Sequence, residues 1–250
     1  MLALITGASS GIGRDMARIL AKQGYDLILV ARRRERLLEL KKELGTNITV
    51  ISMDLGVLEN NYKLYEKVCS KKIDVLINNA GFGLFGEFSK TDLDTELAMI
   101  DLNVKSYHIL TKLFLQDFVK RDAGYILNVC SSAGFMAGPR MATYYATKNY
   151  ITKLTMAINE ELRMAKSRVT ISALCPGPVA TEFNEVAHGT FAIREASSYE
   201  VAKYAIDKLF KRKMIIVPTF LMKLTLFFNR LAPHCLSLYI AYKIQKRKSK

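Results

Sequence analysis

Residues 2–13 read LALITGASSGIG. The apolar run LALIT (2–6) enters a glycine-rich turn, and the turn opens into DMARILAKQG (15–24), a helical pattern that Gly24 is placed to stop. A short, nearly continuous run of Leu and Ile is what a strand buried on both faces requires. A helix that follows such a strand aims its unpaired N–H groups and positive dipole end at whatever lies over the turn. Gly7, Gly11 and Gly13 allow a tight turn and the close approach of a pyrophosphate there, with Ser9, Ser10 and Ile12 completing the loop. Glycine also serves ordinary turns. Its place between a first strand and a first helix makes this stretch a dinucleotide site.

The same alternation continues along the chain. DLILVA (26–31), ITVIS (48–52), IDVLIN (73–78), GYILNVC (124–130), RVTISALC (168–175) and MIIVP (214–218) read as further strands. Helical patterns such as RLLELKKELG (36–45) separate them. SSYE (197–200) offers a capping box, Ser197 with Glu200, ahead of VAKYAIDKLFKR. Strands alternating with helices predict an α/β fold, a parallel sheet of about seven strands with helices on both faces. No repeat or Pro/Ser-rich linker divides the chain, so one domain is expected over 1–218 and a C-terminal extension over 219–250.

The 250 residues are half apolar, enough for one large core. The four cysteines, Cys69, Cys130, Cys175 and Cys235, form no CxxC pair, and His108, His188 and His234 are scattered. That argues against a disulfide framework or a metal centre and for a reducing cytoplasm. The opening MLALITG has no basic segment followed by a long apolar run, so no cleaved signal peptide is expected. The formal charge is +14, yet residues 211–250 hold ten Lys or Arg and no acid, which leaves +4 for the first 210. Nucleic-acid binding wants basic residues interleaved with exposed aromatics on a fold built for it, and here the basic excess sits on an apolar tail.

The end of the second strand discriminates between cofactors. An NAD site places an acid there, about twenty residues past the loop, to hold the ribose 2′-OH. This chain reads VARRRE, with Ala31 followed by Arg32, Arg33 and Arg34. Arginines at a helix start run against the macrodipole by roughly 0.3–1 kcal/mol per charge, a cost that a docked anion offsets. Arg32 and Arg33 are therefore candidates to hold a 2′-phosphate, which specifies NADP(H); the plainer reading is a solvated basic turn. Arg34 reads as surface. Asp54 ends the third strand and can accept from an adenine amino group, with the Leu55 backbone helping, or can serve a turn. NNAG (78–81) ends the fourth strand and brings Asn79, Ala80 and Gly81 beside the loop, with Asn78 as a turn-stabilising side chain.

TYYATK (143–148) sets two tyrosines before a lysine. Tyr144 lies four residues before Lys148 and Tyr145 three, and both spacings share a helical face. Taken with TGASSGIG, NNAG, Asn103 in DLNV, Ser131 and PGPVATEF, in this order, the chain resembles the short-chain dehydrogenase/reductase family over about residues 1–217. The resemblance implies a Rossmann-like, doubly wound parallel sheet. It implies a catalytic tyrosine four before the lysine and a serine thirteen before the tyrosine, which selects Tyr144 and Ser131 over Tyr145 and Ser132. Tyr145 then packs. It implies that Asn103 holds a water linking Lys148 to solvent and that Lys148 reaches the nicotinamide ribose. Val179 and Thr181 would meet the nicotinamide, after a turn set by Pro176 and Gly177. Residues 184–197 correspond to the family's substrate lid, where His188 and Phe191 could touch substrate. The helices carrying Asn103 and Tyr144 pair across a subunit interface in the family, which implies a homodimer or homotetramer.

The residue types suit ketone reduction, which needs a hydride on carbon and a proton on oxygen. A free phenol titrates near 10, and an adjacent ammonium favours the phenolate and lowers that value. Tyr144 with Lys148 would then donate or accept a proton, while Ser131 holds the substrate oxygen. The expectation is an NADP-dependent oxidoreductase interconverting a secondary alcohol and a ketone on a hydrophobic substrate, of 3-oxoacyl thioester or steroid type. The rival is a non-catalytic NADP-binding sensor or scaffold at a membrane. Residues 219–250 read as two apolar helices broken by Pro233 and interrupted by Lys223 and Arg230, too short to span a bilayer. They fit an interfacial anchor on anionic lipid, or a cover over the cleft or a subunit interface.

Overall fold

The computed structural model describes residues 1–183 and 195–246. Seven parallel strands form one sheet in the order β3-β2-β1-β4-β5-β6-β7. These are β1 (Leu2–Thr6), β2 (Asp26–Ala31), β3 (Ile48–Ser52), β4 (Val75–Asn78), β5 (Tyr125–Val129), β6 (Thr170–Leu174) and β7 (Ile215–Ile216). β1 pairs with β2 on one side (Leu4 opposite Ile28) and with β4 on the other (Leu4 opposite Leu76). From β1 to β3 the chain builds the sheet one way, and from β4 onward the other. The crevice at this reversal, over the carboxyl ends of β1 and β4, is where open α/β sheets bind ligands.

Alternation along each strand loads both faces. Ala3 and Ile5 of β1 join a core with Met16 and Leu20 of α1 (Gly11–Lys22), Leu37 and Leu40 of α2 (Arg34–Glu43), and Val201 and Ile206 of the helix Ser198–Phe210. Leu4 points the other way, into a core with Leu64 of α3 (Leu58–Val68) and Phe114 and Phe118 of a helix beyond. Each fully buried Leu, Ile or Phe contributes about 1.5–3 kcal/mol, which explains why strands this apolar settle between two helical layers.

That farther helix is composite. α4 (Leu93–Ile100) widens into a π-helical stretch over Asp101–Ser106 and resumes as α5 (Tyr107–Lys120). α6 (Ala142–Met164) carries both tyrosines, and α7 is the helix Ser198–Phe210. The tail forms α8 (Phe220–Leu231) and α9 (His234–Lys246), with Pro233 at the break. Gln23 caps the C-terminus of α1, and Gly24 follows at φ +81°, the left-handed stop its position promised. The capping box does not form: Ser197 is the N-cap of α7, but its side chain makes no cap bond. Among the described residues no helix is long and apolar enough to cross a membrane.

Candidate active site

The loop after β1 and the loop after β4 are locked together. Thr6 Oγ1 accepts from the backbone N–H of Asn79 (2.9 Å) and of Ala80 (3.2 Å). Asn79 Nδ2 donates back to the carbonyls of Thr6 and Gly7, each at 3.1 Å. Gly7 lies at φ +65°, and a Cβ on it would stand 2.8 Å from the Ala80 backbone. A Cβ on Gly13 would meet the Gly7 carbonyl at 2.6 Å, so Gly13 serves helix–loop packing and does not line the cleft. At the N-terminus of α1, Ser10 makes no side-chain cap and the first turn holds no acid. Ser9, Ser10, Gly11 and Ile12 line a cleft there together with Thr181, and Gly11 packs so closely on Thr181 that a Cβ on it would come within 3.0 Å of Thr181 Cγ2. A helix N-terminus with no acid and no side-chain cap, opening onto a cleft lined by the glycine loop, fits a pyrophosphate, so the residues present suit a dinucleotide.

The basic cluster is engaged. Arg33, the N-cap of α2, donates through Nη2 to Ser10 Oγ (2.9 Å) and Ser9 Oγ (3.2 Å) and through Nη1 to Glu182 Oε2 (2.8 Å). Arg36 holds the other oxygen of Glu182. The arginine guanidiniums, Arg33 foremost, hold the Glu182 carboxyl below the usual range. Arg32 is largely exposed, with Nη1 3.9 Å from Asp54 Oδ2. Asp54 Oδ1 accepts from the Gly56 N–H at 2.9 Å, so here it holds a turn, one of its two expected roles. Asn78 differs from its turn expectation. Its amide donates to Thr111 Oγ1 (3.1 Å) and Asn128 Oδ1 (2.9 Å), tying β4 to α5 and β5.

Ser131 follows β5. Its Oγ accepts from the Ala133 N–H at 3.1 Å, and its hydroxyl lies near enough to Tyr144 to favour the phenolate. Tyr144 and Lys148 are both buried on α6. Lys148 Nζ donates to the Val129 carbonyl at 3.0 Å and lies 5.8 Å from the centroid of the Tyr144 ring. Burial pushes the Lys148 ammonium down. It pushes the Tyr144 hydroxyl up, with the neighbouring Ser131 hydroxyl opposing. The sequence reading expects Lys148 to pull Tyr144 down; in this structure desolvation prevails.

Asn103 sits on the π-helical stretch. Its Nδ2 donates to the Phe82 carbonyl (2.8 Å) and to Thr147 Oγ1 (3.3 Å), and its Oδ1 accepts from the Phe82 N–H (3.1 Å). A Cβ on Gly81 would stand 2.8 Å from Asn103 Oδ1 and 3.6 Å from Lys148 Nζ, so the missing side chain leaves a gap joining the two. The π turn that places Asn103 has no sequence signal the reading could use.

A cleft of about 470 Å³ takes in both ends. All the sequence-predicted site residues line it except Gly13 and Asn103. Sequence reasoning missed Glu182, Phe183 and Cys130, and missed how the tail contributes. Met222 and Thr225 of α8 and Ala241, Ile244 and Gln245 of α9 form one wall. Gln245 Nε2 donates to the Tyr145 hydroxyl at 3.0 Å, so Tyr145 does more than pack. The expected lid at 184–197 lies mostly outside the described residues, with His188 and Phe191. At its end Ala196 bridges Val179.

A doubly wound sheet with a phosphate-type loop and a Ser, Tyr and Lys set in one cleft defines a class, the dinucleotide-dependent oxidoreductases. Residues 1–190 match the family model for short chain dehydrogenase, and the chain belongs to that family. It is 35% identical over 193 residues to the NADP-dependent 3-hydroxy acid dehydrogenase YdfG of Escherichia coli, across 74% of this chain and 76% of that one. It is 33% identical over 186 residues to an uncharacterised oxidoreductase of Staphylococcus epidermidis, across 74% of this chain and 80% of the other. Among solved structures, a short-chain dehydrogenase of Sphingobium yanoikuyae in complex with NADPH superposes with a TM-score of 0.81 at 29% identity, covering 88% of each chain. A bulky-bulky ketone specific alcohol dehydrogenase of Comamonas testosteroni gives 0.78 at 28% identity, over 88% of this chain and 86% of that one. The protein is thus an oxidoreductase of the short-chain dehydrogenase family.

Proposed function

We propose that the protein interconverts a secondary alcohol and a ketone using NADP(H), on a hydrophobic substrate of 3-oxoacyl thioester or steroid-like kind. The observation that carries the reading is that Ser131, Tyr144 and Lys148 line the same cleft as the glycine loop and Arg32–Arg33. The dinucleotide, when bound, supplies or takes the hydride. Ser131, which lines the cleft with Tyr144, orients the substrate oxygen. Tyr144 passes the proton at its phenolic oxygen, and its burial keeps that proton in place near neutral pH, which suits donation to a forming alkoxide. Lys148 supplies positive charge beside the ring, and Asn103, across the Gly81 gap, connects it toward water. Gly7, Ser9, Ser10, Gly11, Ile12 and Gly13 form the phosphate loop. Asp54 and Leu55 would hold the adenine, Asn79, Ala80 and Gly81 the neighbouring part of the dinucleotide, and Pro176, Gly177, Val179 and Thr181 the nicotinamide.

In this reading residues 1–218, with the lid, are the catalytic unit and 219–250 are an extension with two faces. The inner face closes the cleft. The outer face carries exposed Phe220, Leu221, Phe227, Phe228, Leu231 and Tyr239, with basic residues and no acid. That combination supports peripheral association with an anionic membrane from the cytoplasmic side. A second copy is the poorer occupant, since a two-fold contact would set this cationic face against itself. The family's helix pairing supports a homodimer or homotetramer through α5 and α6 instead. The full relay argues against a pure sensor, which needs no proton donor.

The test is a panel of hydrophobic ketones followed by NADPH absorbance. Turnover of bulky ketones, with NADPH bound at least about tenfold tighter than NADH, is expected from the arginine pair. Equal affinities, or a preference for NADH, would defeat the cofactor assignment.

A further inference from the structure

Glu182 reaches Arg33 at the end of the cleft beside the phosphate-type loop from the loop after β6, 149 positions along the chain. Both of its oxygens are taken, one by Arg33 at 2.8 Å and the other by Arg36. The same Arg33 already donates to Ser9 and Ser10 of the phosphate loop. A carboxylate therefore stands on the guanidinium that an anion docked on this loop would use. We propose that Glu182 is an internal competitor for the 2′-phosphate subsite and so sets how strongly the protein prefers a 2′-phosphorylated dinucleotide over an unphosphorylated one. The proposal rests on the reading of Arg33 as a 2′-phosphate ligand.

The physical case is one of like charges. A phosphate monoester carries between one and two negative charges near neutral pH. It cannot take Arg33 fully while Glu182 holds that guanidinium, so either the carboxylate gives up Arg33 and falls back on Arg36 alone or the phosphate binds less well. A ribose bearing only a 2′-OH makes no such demand and leaves the pair in place. The penalty falls on one cofactor alone. The three side chains are between 38% and 44% exposed, so water screens the pair and it can break. Glu182 is thus a competitor and not a block.

The test titrates four ligands into wild type and into Glu182→Gln: NADPH, NADH, adenosine 2′,5′-bisphosphate and ADP. Glutamine keeps the size and can still accept from Arg33 but carries no charge. NADPH and the bisphosphate should bind at least about threefold tighter to the variant, with NADH and ADP within about twofold of wild type. Glu182→Ala should show the same ordering, and unliganded melting temperatures confirm that both variants fold. Unchanged or weaker NADPH binding in both variants, with wild type still preferring NADPH, overturns the competitor role and leaves the NADP reading standing. A wild type that prefers NADH removes that reading itself. If the variants then lose NADH, Glu182 accepts from a ribose hydroxyl and the proposal is overturned by a different result.

Discussion

Gln245 and Tyr145 stand one hundred residues apart and share a hydrogen bond of 3.0 Å. The bond fastens the last helix to the helix that carries Tyr144, so the tail is part of the cleft wall. The Gln245 Oε1 is buried without a hydrogen-bond partner among the described residues.

The two neighbouring tyrosines should therefore separate cleanly. Tyr144→Phe is expected to lower turnover by about 10²-fold or more while leaving NADPH affinity nearly unchanged, because only the proton route is lost. Tyr145→Phe gives up the Gln245 bond, a net of about 0.5–1.5 kcal/mol, and should cost a few degrees of melting temperature and little turnover. Steady-state rates and melting curves for both variants check this. A dead Tyr145→Phe with an active Tyr144→Phe would reverse the assignment.

Gly81→Ala is a second probe of the relay. The new methyl would lie 2.8 Å from Asn103 Oδ1 and fill the gap toward Lys148. Turnover should fall by about tenfold or more, with a measurable loss of stability from overpacking. Wild-type kinetics in this variant would remove Asn103 from the proton route.

The raised Tyr144 hydroxyl predicts an asymmetric pH dependence. A phenol that titrates above its ordinary value is protonated at neutral pH, so ketone reduction should be nearly flat from about pH 6 to 8. Alcohol oxidation needs the deprotonated form and should rise by about tenfold per unit over the same range. An oxidation plateau that begins below about pH 8 would mean that Lys148 or the bound cofactor pulls the phenol down after all.

The chain contains no tryptophan, which makes Phe227→Trp a single reporter on the outer face of α8. Its emission should shift to the blue on phosphatidylglycerol vesicles and not on phosphatidylcholine. The shift should weaken as salt shortens the Debye length from about 10 Å at 0.1 M to about 3 Å at 1 M. Phe88→Trp, on an exposed residue elsewhere, is the control. No shift on either vesicle would defeat the membrane reading and leave α8 and α9 as a cleft wall only. Truncation after Pro218 should abolish vesicle binding and also weaken substrate binding, since Met222 and Gln245 leave with it.

Light scattering at micromolar protein should report a homodimer or homotetramer. A monomer would count against helix pairing through α5 and α6.

The local units were legible because they are written in local chemistry. Apolar runs with a glycine turn after the first, Gly24 after α1 and Pro233 in the tail fix their own backbone, so strands, most helix ends and the phosphate loop follow from residues a few positions apart. The Tyr144, Lys148 and Ser131 set was readable only through the family resemblance, since helix spacing alone leaves Tyr144 and Tyr145 on the same face as Lys148. What the sequence could not determine lies between residues far apart. Thr6 binding the Asn79 turn, Glu182 lying on Arg33 and Gln245 reaching Tyr145 span 73, 149 and 100 positions. Such pairs carry no periodicity, and each depends on where the sheet order sends the chain. The π turn under Asn103 and the burial that raises Tyr144 are likewise tertiary. Packing decides how a helix widens and how much water a phenol keeps, and only the folded core of this protein sets either.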